Sequence, residues 1–332
     1  MSRPFVLPPP VGPDMTADTA PGMQKRHHWG DTILKGSLWT AASIVLITLA
    51  AILIILFLAG RDAFAAFGPA FLWLNQWDPV RDLYGAGPAI VGTLATSAIA
   101  IALAWPVGFG IAYFLTETCP RPLRGPLGVA IELLAAVPSL VYGMWGFFVL
   151  APAMGSQVQP WLTQTFSFIP AAGNFYWFSG APLGVGLLTA GIVLAIMILP
   201  LIAAATRDVL LTTPQLLKDG GYAMGATKWE TLVGVIIPAV RGSLFGAVFL
   251  ALGRALGETM AVTFVIGNAN RLPDSFFAPA SSIASVIANE FPDAEQGSLK
   301  LAALFALGFF LFLISFLVLA AARMLLRQGR MA

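Results

Sequence analysis

The sequence predicts an all-α integral membrane protein with six transmembrane helices. Hydrophobic residues make up 58% of the 332 residues and charged residues only 10%, against about 25% charged residues in a typical soluble domain. Six apolar runs are each long enough to cross a bilayer, since a crossing helix needs about 20 residues. They occupy residues 38–59, 87–115, 127–151, 184–205, 242–266 and 299–322.

The distribution of Lys and Arg predicts the orientation of these helices. Of the 18 basic residues, 13 fall on one side of the six runs and 4 on the other, and Arg254 lies inside a run. The side with the excess carries both termini and the loops after the second and fourth runs. Because cytoplasmic segments hold the excess of Lys and Arg, we expect both termini in the cytoplasm.

The apolar runs also divide the chain. Residues 1–34 are rich in proline and lack the apolar core of a signal peptide, so they are predicted to form a disordered cytoplasmic tail. Residues 35–86 hold the first helix and an outer loop, 87–323 the main transmembrane domain, and 324–332 a cytoplasmic tail. The outer loops are aromatic-rich, which is typical of an interfacial belt or of a docking surface for an external partner.

Composition excludes several kinds of chemistry. The single cysteine, Cys119, cannot form an internal disulfide, and no His or Cys cluster has metal-ligand spacing. We therefore predict no metal or other cofactor. A membrane enzyme would need His, Asp or Cys residues clustered near an interface, and the sequence lacks such a cluster.

Arg254 is the most informative single residue, because it is the thirteenth of 25 residues in the run 242–266. A charge at the bilayer centre costs at least about 2.5–3.5 kcal/mol. Glu258 follows one helical turn later and is predicted to share its face. The two residues either form a structural ion pair or line a polar pathway, and the second interpretation is favoured. Weaker pathway candidates are the hydroxyl residues Ser139, Tyr142 and Thr259.

The loop 207–241 is the longest predicted cytoplasmic connection and has helical patterning. It predicts two short helices hinged at Gly225, forming a knob that fits a groove on another protein. The alternative is an amphipathic hairpin without a partner. The stretch from Gly220 to Thr227 is one residue away from a phosphate-binding loop, but Ala226 stands where that loop requires Lys. We therefore expect the energy for any active process to come from a partner.

The same loop resembles the coupling loop of ABC-importer permeases. The matching positions are Asp219, Gly220, Gly221, Gly225 and, after nine residues, the segment ending at Pro238. Asp replaces the usual Glu and two glycines replace alanines, and each Gly costs about 1 kcal/mol of helix stability relative to Ala. Two further segments, 131–146 and 253–264, are similar to phosphate-importer permeases, in the form found in the PstC family rather than in the sister PstA family. The likeness extends from residue 71 to the C-terminus.

This resemblance implies a type I ABC importer permease in a bacterial inner membrane. The implied partners are a PstA-like second permease, a dimer of PstB-like ATPase subunits and an extracytoplasmic PstS-like phosphate-binding protein, with no nucleic acid. It implies that Arg254 and Glu258 serve phosphate translocation and that the coupling-loop residues dock on the ATPase. Small-residue steps at glycines 242, 246, 253 and 257 would let a second subunit pack closely.

Two alternatives to phosphate import remain at this point. The first is a permease for another oxyanion, sulfate or molybdate. The second is a secondary transporter driven by an ion gradient, which predicts inverted repeats and several intramembrane carboxylates. Only Glu132 and Glu258 are acidic within the apolar runs, and no internal repeat is evident.

Overall fold

The computed structural model describes residues 29–166, 168–170, 172–173 and 175–328. Most of the predicted N-terminal tail lies outside these ranges, as do the last four residues. Within them, six helices are long and apolar enough to cross a membrane, which confirms the predicted number. We call them the first to sixth spans. They are Ile33–Ala59, Gly87–Thr118, Ser139–Phe166, Leu187–Leu211, Lys228–Leu256 and Leu299–Ala321.

The shorter elements connect these spans. Between the first and second spans they are a helix at Arg61–Phe67, a 3-10 turn at Gly68–Leu72 and an antiparallel strand pair formed by Trp77–Asp78 and Leu83–Tyr84. The helix Arg121–Ala135 precedes the third span, and Gln215–Ala223 precedes the fifth. Met260–Val265 and Ile283–Glu290 lie between the fifth and sixth spans. The first span belongs to a longer helix, Trp29–Ala59, and the sixth to Leu299–Gln328.

The third and fifth spans differ from the sequence prediction. The third begins only at Ser139, because the chain breaks at 136–138 around Pro138. The prediction of one continuous helix over 242–266 is wrong, since the fifth span ends at Leu256 and a new helix starts at Met260. Gly257 weakens the helix at that point, and the side chain of Glu258 accepts the backbone N–H of Ala261 at 3.2 Å.

Contacts divide the chain after Ile52. In the first unit, every residue from Ile33 to Ile52 is exposed, and most of them are apolar. This pattern is typical of a helix surrounded by lipid.

The fourth span is the central helix of the second unit. Two thirds of its most apolar stretch is buried, 67% against 28% for the second span. Its buried residues form one core with those of the second and fifth spans and of Met260–Val265. The approach to the second span is close, because a Cβ at Gly191 would lie 2.5 Å from Ile99. Because this core covers one side of the fifth span, the opposite side of that helix is left open.

A second core lies under the outer loop 60–86. Phe71, Trp77 and Tyr84 are buried against the sixth span and the Ile283–Glu290 helix. These three aromatics therefore belong neither to an interfacial belt nor to a docking surface. In the second aromatic-rich segment, residues 152–183, Trp161 lies near the end of the third span and Phe168 just after it. Both are exposed, so docking remains a prediction there.

Candidate functional site

Arg254 lies in the last turn of the fifth span, and its side chain is exposed in this chain. The carbonyl end of a helix carries partial negative charge, which stabilises a cation at this position. Among the described residues, Arg254 forms no ion pair, and Glu258 bonds instead to the backbone of Ala261. The predicted Arg254–Glu258 pair is therefore not formed. Because the helix breaks between them, each charge is stabilised separately. Arg254 lies at the carbonyl end of one helix, and Glu258 accepts a backbone N–H at the start of the next.

Arg254 opens into a groove of about 690 Å³. The groove is bounded by the fourth span, the fifth span and the helix Leu299–Gln328 that contains the sixth span. Its lining is apolar except for two arginines. The lining residues are Leu201, Gly246, Phe249, Leu250, Gly253, Arg254, Leu319 and Arg323. Arg323 is the residue that sequence reasoning missed, because its place after the last apolar run marks it only as a basic residue on the cytoplasmic side.

The glycines of the fifth span leave this groove wide. A Cβ at Gly246 would meet nothing within 4 Å, and one at Gly253 would only touch Leu319 at 3.6 Å. These positions therefore do not serve close packing within the chain. They present a smooth, open surface beside Arg254, which a helix of another subunit can approach closely.

The weaker candidates lie elsewhere. The hydroxyl of Tyr142 donates to the carbonyl of Leu134 at 2.9 Å, across the break that precedes the third span. The hydroxyl of Thr259 donates weakly to the carbonyl of Gly257 at 3.5 Å. Ser139 is the first residue of the third span. None of the three lines the groove, so the structure does not bring them together with Arg254.

The coupling loop has the predicted hinge and the predicted first short helix, but the second helix is not short, because it continues as the fifth span, which begins at Lys228 and not at residue 242. The first is Gln215–Ala223, and the second begins at Lys228 and continues into the fifth span. Gly225 lies in the hinge with a φ of 82° and open space around it, a conformation that glycine adopts without strain. Thr227 and Glu230 form a reciprocal capping box that fixes the start of the second helix.

The loop is attached to the membrane domain by its inner face. Lys218 is buried and its Nζ lies 2.5 Å from Oε1 of Glu117, at the end of the second span. Gly221 lets the two loop helices meet, because a Cβ there would lie 2.9 Å from Thr231. Pro238 is exposed and lies within the fifth span, Lys228–Leu256, and not in the loop before it.

The face of the coupling loop that points away from the membrane domain is apolar and exposed. Leu216, Met224 and Trp229 are 82%, 88% and 64% exposed. Large apolar side chains at this exposure, clustered on one short segment, are typical of a surface that contacts another protein or the membrane. Asp219 and Gly220 lie on the same exposed helix, where Asp219 accepts a hydrogen bond from Gln215 at 3.0 Å.

Six spans and a hinged segment before the fifth are typical of a membrane permease subunit. Comparison with known proteins agrees. The model for binding-protein-dependent transport system inner membrane components matches residues 108–330. The chain belongs to this family, and within it to the PstC permeases. It is a multi-pass membrane protein and a transport subunit of a multi-subunit ABC transporter, with ATPase and binding-protein partners.

Its relatives cover nearly the whole chain. It is 51% identical over 298 residues to the phosphate transport system permease protein PstC of Mesorhizobium japonicum, covering 90% of each chain. The Pasteurella multocida PstC is 49% identical, covering 91% of this chain and 93% of the relative. The probable PstC of the archaeon Methanocaldococcus jannaschii is 36% identical, covering 84% of this chain and 88% of the relative.

Solved structures share the fold. A chain of a bacterial alginate ABC transporter, in complex with an alginate-bound periplasmic protein, superposes with a TM-score of 0.57 at 15% identity, covering 91% of this chain and 97% of that one. A chain of the inward-facing MetNI methionine ABC transporter gives 0.52 at 16% identity, covering 76% and 99%. These likenesses confirm the predicted type I importer permease fold.

Proposed function

We propose that this chain forms one half of the transmembrane pathway of an ATP-driven phosphate importer, with Arg254 as the residue that contacts the anion. The single observation that carries the proposal is the unpaired guanidinium of Arg254 at the wall of an open groove whose lining is apolar except for Arg254 and Arg323. Relatives with up to 51% identity are named as phosphate transport permeases, which supports phosphate over other oxyanions.

The groove is suited to weak, transient binding of a hydrated anion, which transport requires. Phosphate crossing a low-dielectric region requires compensating positive charge, and a guanidinium offers a planar fork of donors to phosphate oxygens. Arg254 has no carboxylate partner in the described chain, so its donors are available. Arg323, on the same groove, supplies a second positive charge along the way to the cytoplasm.

The open face of the fifth span supports the proposed partnership with a PstA-like subunit. An arginine directed at lipid would be costly, and bare glycines let another helix approach closely, so a second permease is proposed to complete the groove. A PstB-like ATPase dimer would take the exposed apolar residues of the coupling loop, and a PstS-like phosphate-binding protein would dock on the outer loops. The proposed location is the bacterial inner membrane with both termini in the cytoplasm.

Substitution of Arg254 tests the pathway. We expect Arg254→Gln to abolish phosphate uptake into vesicles that contain the assembled importer, while the protein still reaches the membrane. Arg254→Lys should retain part of the uptake, because it keeps the charge and loses the fork. Arg61→Gln is the matched control, since it removes the same charge from a side chain that is 75% exposed and distant in sequence from Arg254. Uptake at the wild-type rate in Arg254→Gln would remove Arg254 from the pathway.

The same vesicles test the substrate. Excess unlabelled phosphate should suppress uptake of labelled phosphate, and excess sulfate or molybdate should not. Suppression by sulfate or molybdate at equal concentration would favour the alternative oxyanion permease instead.

The orientation is tested by labelling single cysteines with an impermeant thiol reagent. In a background that carries Cys119→Ser, cysteines introduced at Gln24 and Gly297 should react from opposite faces of the membrane, because Gln24 precedes the first span and Gly297 precedes the sixth. Reaction of both from one face would contradict the proposed topology.

A further inference from the structure

Three arginines surround a second cavity, at the end of the second span and remote in sequence from Arg254. The cavity has a volume of about 310 Å³. Arg121, Arg124 and Arg207 supply its positive charge, and Leu115 and Leu211 supply apolar surface beside them. The three arginines come from two separate segments, the start of the Arg121–Ala135 helix and the end of the fourth span.

The charges around this cavity are not balanced. Arg207 is neutralised, because its Nη2 lies 2.9 Å from both Glu132 and Asp208. In the ranges that the structure describes, Arg121 and Arg124 form no ion pair. Glu117 is not available to them, since Lys218 already holds its carboxylate. Two arginines of the cavity therefore lack an anionic partner.

Arg124 also leaves donor capacity unused inside the protein. Its Nη2 makes one long hydrogen bond, 3.5 Å to the carbonyl of Cys119. Its Nε is buried and has no acceptor. A buried donor without an acceptor is destabilising, so the guanidinium of Arg124 has an unmet need for an oxygen acceptor.

The backbone adds positive potential on the same side. The helix Arg121–Ala135 starts at the cavity, and Pro120 caps it without a side-chain acceptor. Pro122 has no N–H, and the N–H groups of Leu123 and Arg124 donate to the carbonyl of Pro120 at 3.0 and 3.2 Å, so it is the positive end of the helix dipole, rather than free N–H groups, that attracts an anion here. The arginine side chains and the start of the helix therefore both favour an anionic ligand.

We propose that this cavity binds a phosphate group, carried either by an anionic phospholipid headgroup or by free inorganic phosphate. Guanidinium groups match the geometry of phosphate oxygens, and two of them here have no other anion. A phospholipid would place its acyl chains along Leu115 and Leu211. Inorganic phosphate would use the arginines alone. The site is separate from the proposed Arg254 pathway and does not depend on it.

The test compares ligand binding by the full-length chain, purified with its partner subunits, and by variants. Arg121→Gln/Arg124→Gln removes the two unpaired charges. Arg121→Lys/Arg124→Lys keeps the charges and so controls for folding and for orientation in the membrane. Arg61→Gln/Arg81→Gln is the matched control for lost charge, because both side chains are 75% exposed and distant from the cavity.

Two ligands are measured on each protein. Phosphatidylglycerol is titrated against phosphatidylcholine in native mass spectrometry, and inorganic phosphate is titrated by calorimetry in neutral detergent. We expect the Gln pair to weaken binding of one of the two by about thirtyfold, from about 1 kcal/mol for each basic residue near an anionic group. The Arg61→Gln/Arg81→Gln control should bind as the wild type does.

The outcomes separate the two sources. Selective loss of phosphatidylglycerol binding identifies a lipid site, and selective loss of inorganic phosphate binding identifies a site for the free anion. If the Gln pair binds both ligands as tightly as the wild type while the Lys pair is folded, the proposal is overturned. Uptake through Arg254 is measured separately, so a failure of one proposal does not conceal a failure of the other.

Discussion

The buried ion pair between Lys218 and Glu117 predicts how the coupling loop depends on the membrane domain. Their side chains are 10% and 16% exposed, with 2.5 Å between Nζ and Oε1. Removing one member of such a pair typically costs about 3–5 kcal/mol, because the other charge stays buried without compensation. A penalty of about 3 kcal/mol raises the undocked fraction of the Gln215–Ala223 helix about 150-fold.

Lys218→Met therefore should separate ATP hydrolysis from transport. The loop helix leaves its docked position, while the spans keep their own core. We expect less phosphate moved for each ATP hydrolysed in reconstituted vesicles, and faster hydrogen exchange of the amides in residues 215–223. The amount of protein in the membrane should change little.

The double variant Lys218→Met/Glu117→Leu is the control for this reasoning. It leaves no orphan charge and keeps apolar contact, so replacing the whole pair is expected to be near neutral and to restore the transport ratio. The argument fails if Lys218→Met couples as well as the wild type. It also fails if the double variant is as uncoupled as the single one, because Lys218 would then act through something other than Glu117.

Two neighbouring glycines predict opposite outcomes. Gly220→Ala should stabilise the loop helix by roughly 1 kcal/mol, because its Cβ meets nothing within 4 Å. Gly221→Ala should impair coupling, because its Cβ would lie 2.9 Å from Thr231. Thermal unfolding and the ratio of phosphate transported to ATP hydrolysed are measured for both variants. Tyr142→Phe should lower stability by about 1 kcal/mol through loss of its bond to Leu134 and leave the affinity for phosphate unchanged in uptake assays. A large loss of affinity would return Tyr142 to the pathway.

The sequence was sufficient for the number of spans and for the hinge of the coupling loop. Long apolar runs have no alternative to crossing a membrane as helices, and an isolated Gly225 between two patterned segments marks a turn. Both features depend on local composition. The likeness to a known permease family added the fold and the substrate class.

The break after Leu256 was not predicted, because residues 257–259 are as acceptable in an apolar run as in a turn. Its consequence was missed as well, since an intact helix would have paired Arg254 with Glu258. The contribution of Arg323 to the groove depends on how the fifth and sixth helices pack, and packing of distant segments leaves no local signal. Partner contacts have the same limitation.

The unpaired Arg254 has a consequence for how the protein is made. A newly inserted copy without a second permease would leave the guanidinium of Arg254 on an exposed, mostly apolar surface in the last turn of its span. A charge at the centre of a membrane helix costs about 2.5–3.5 kcal/mol, and near the end of a span the cost is smaller. Whatever part of that cost applies is removed when a second permease covers the groove. Assembly is thus favoured by the same charge that we propose for transport.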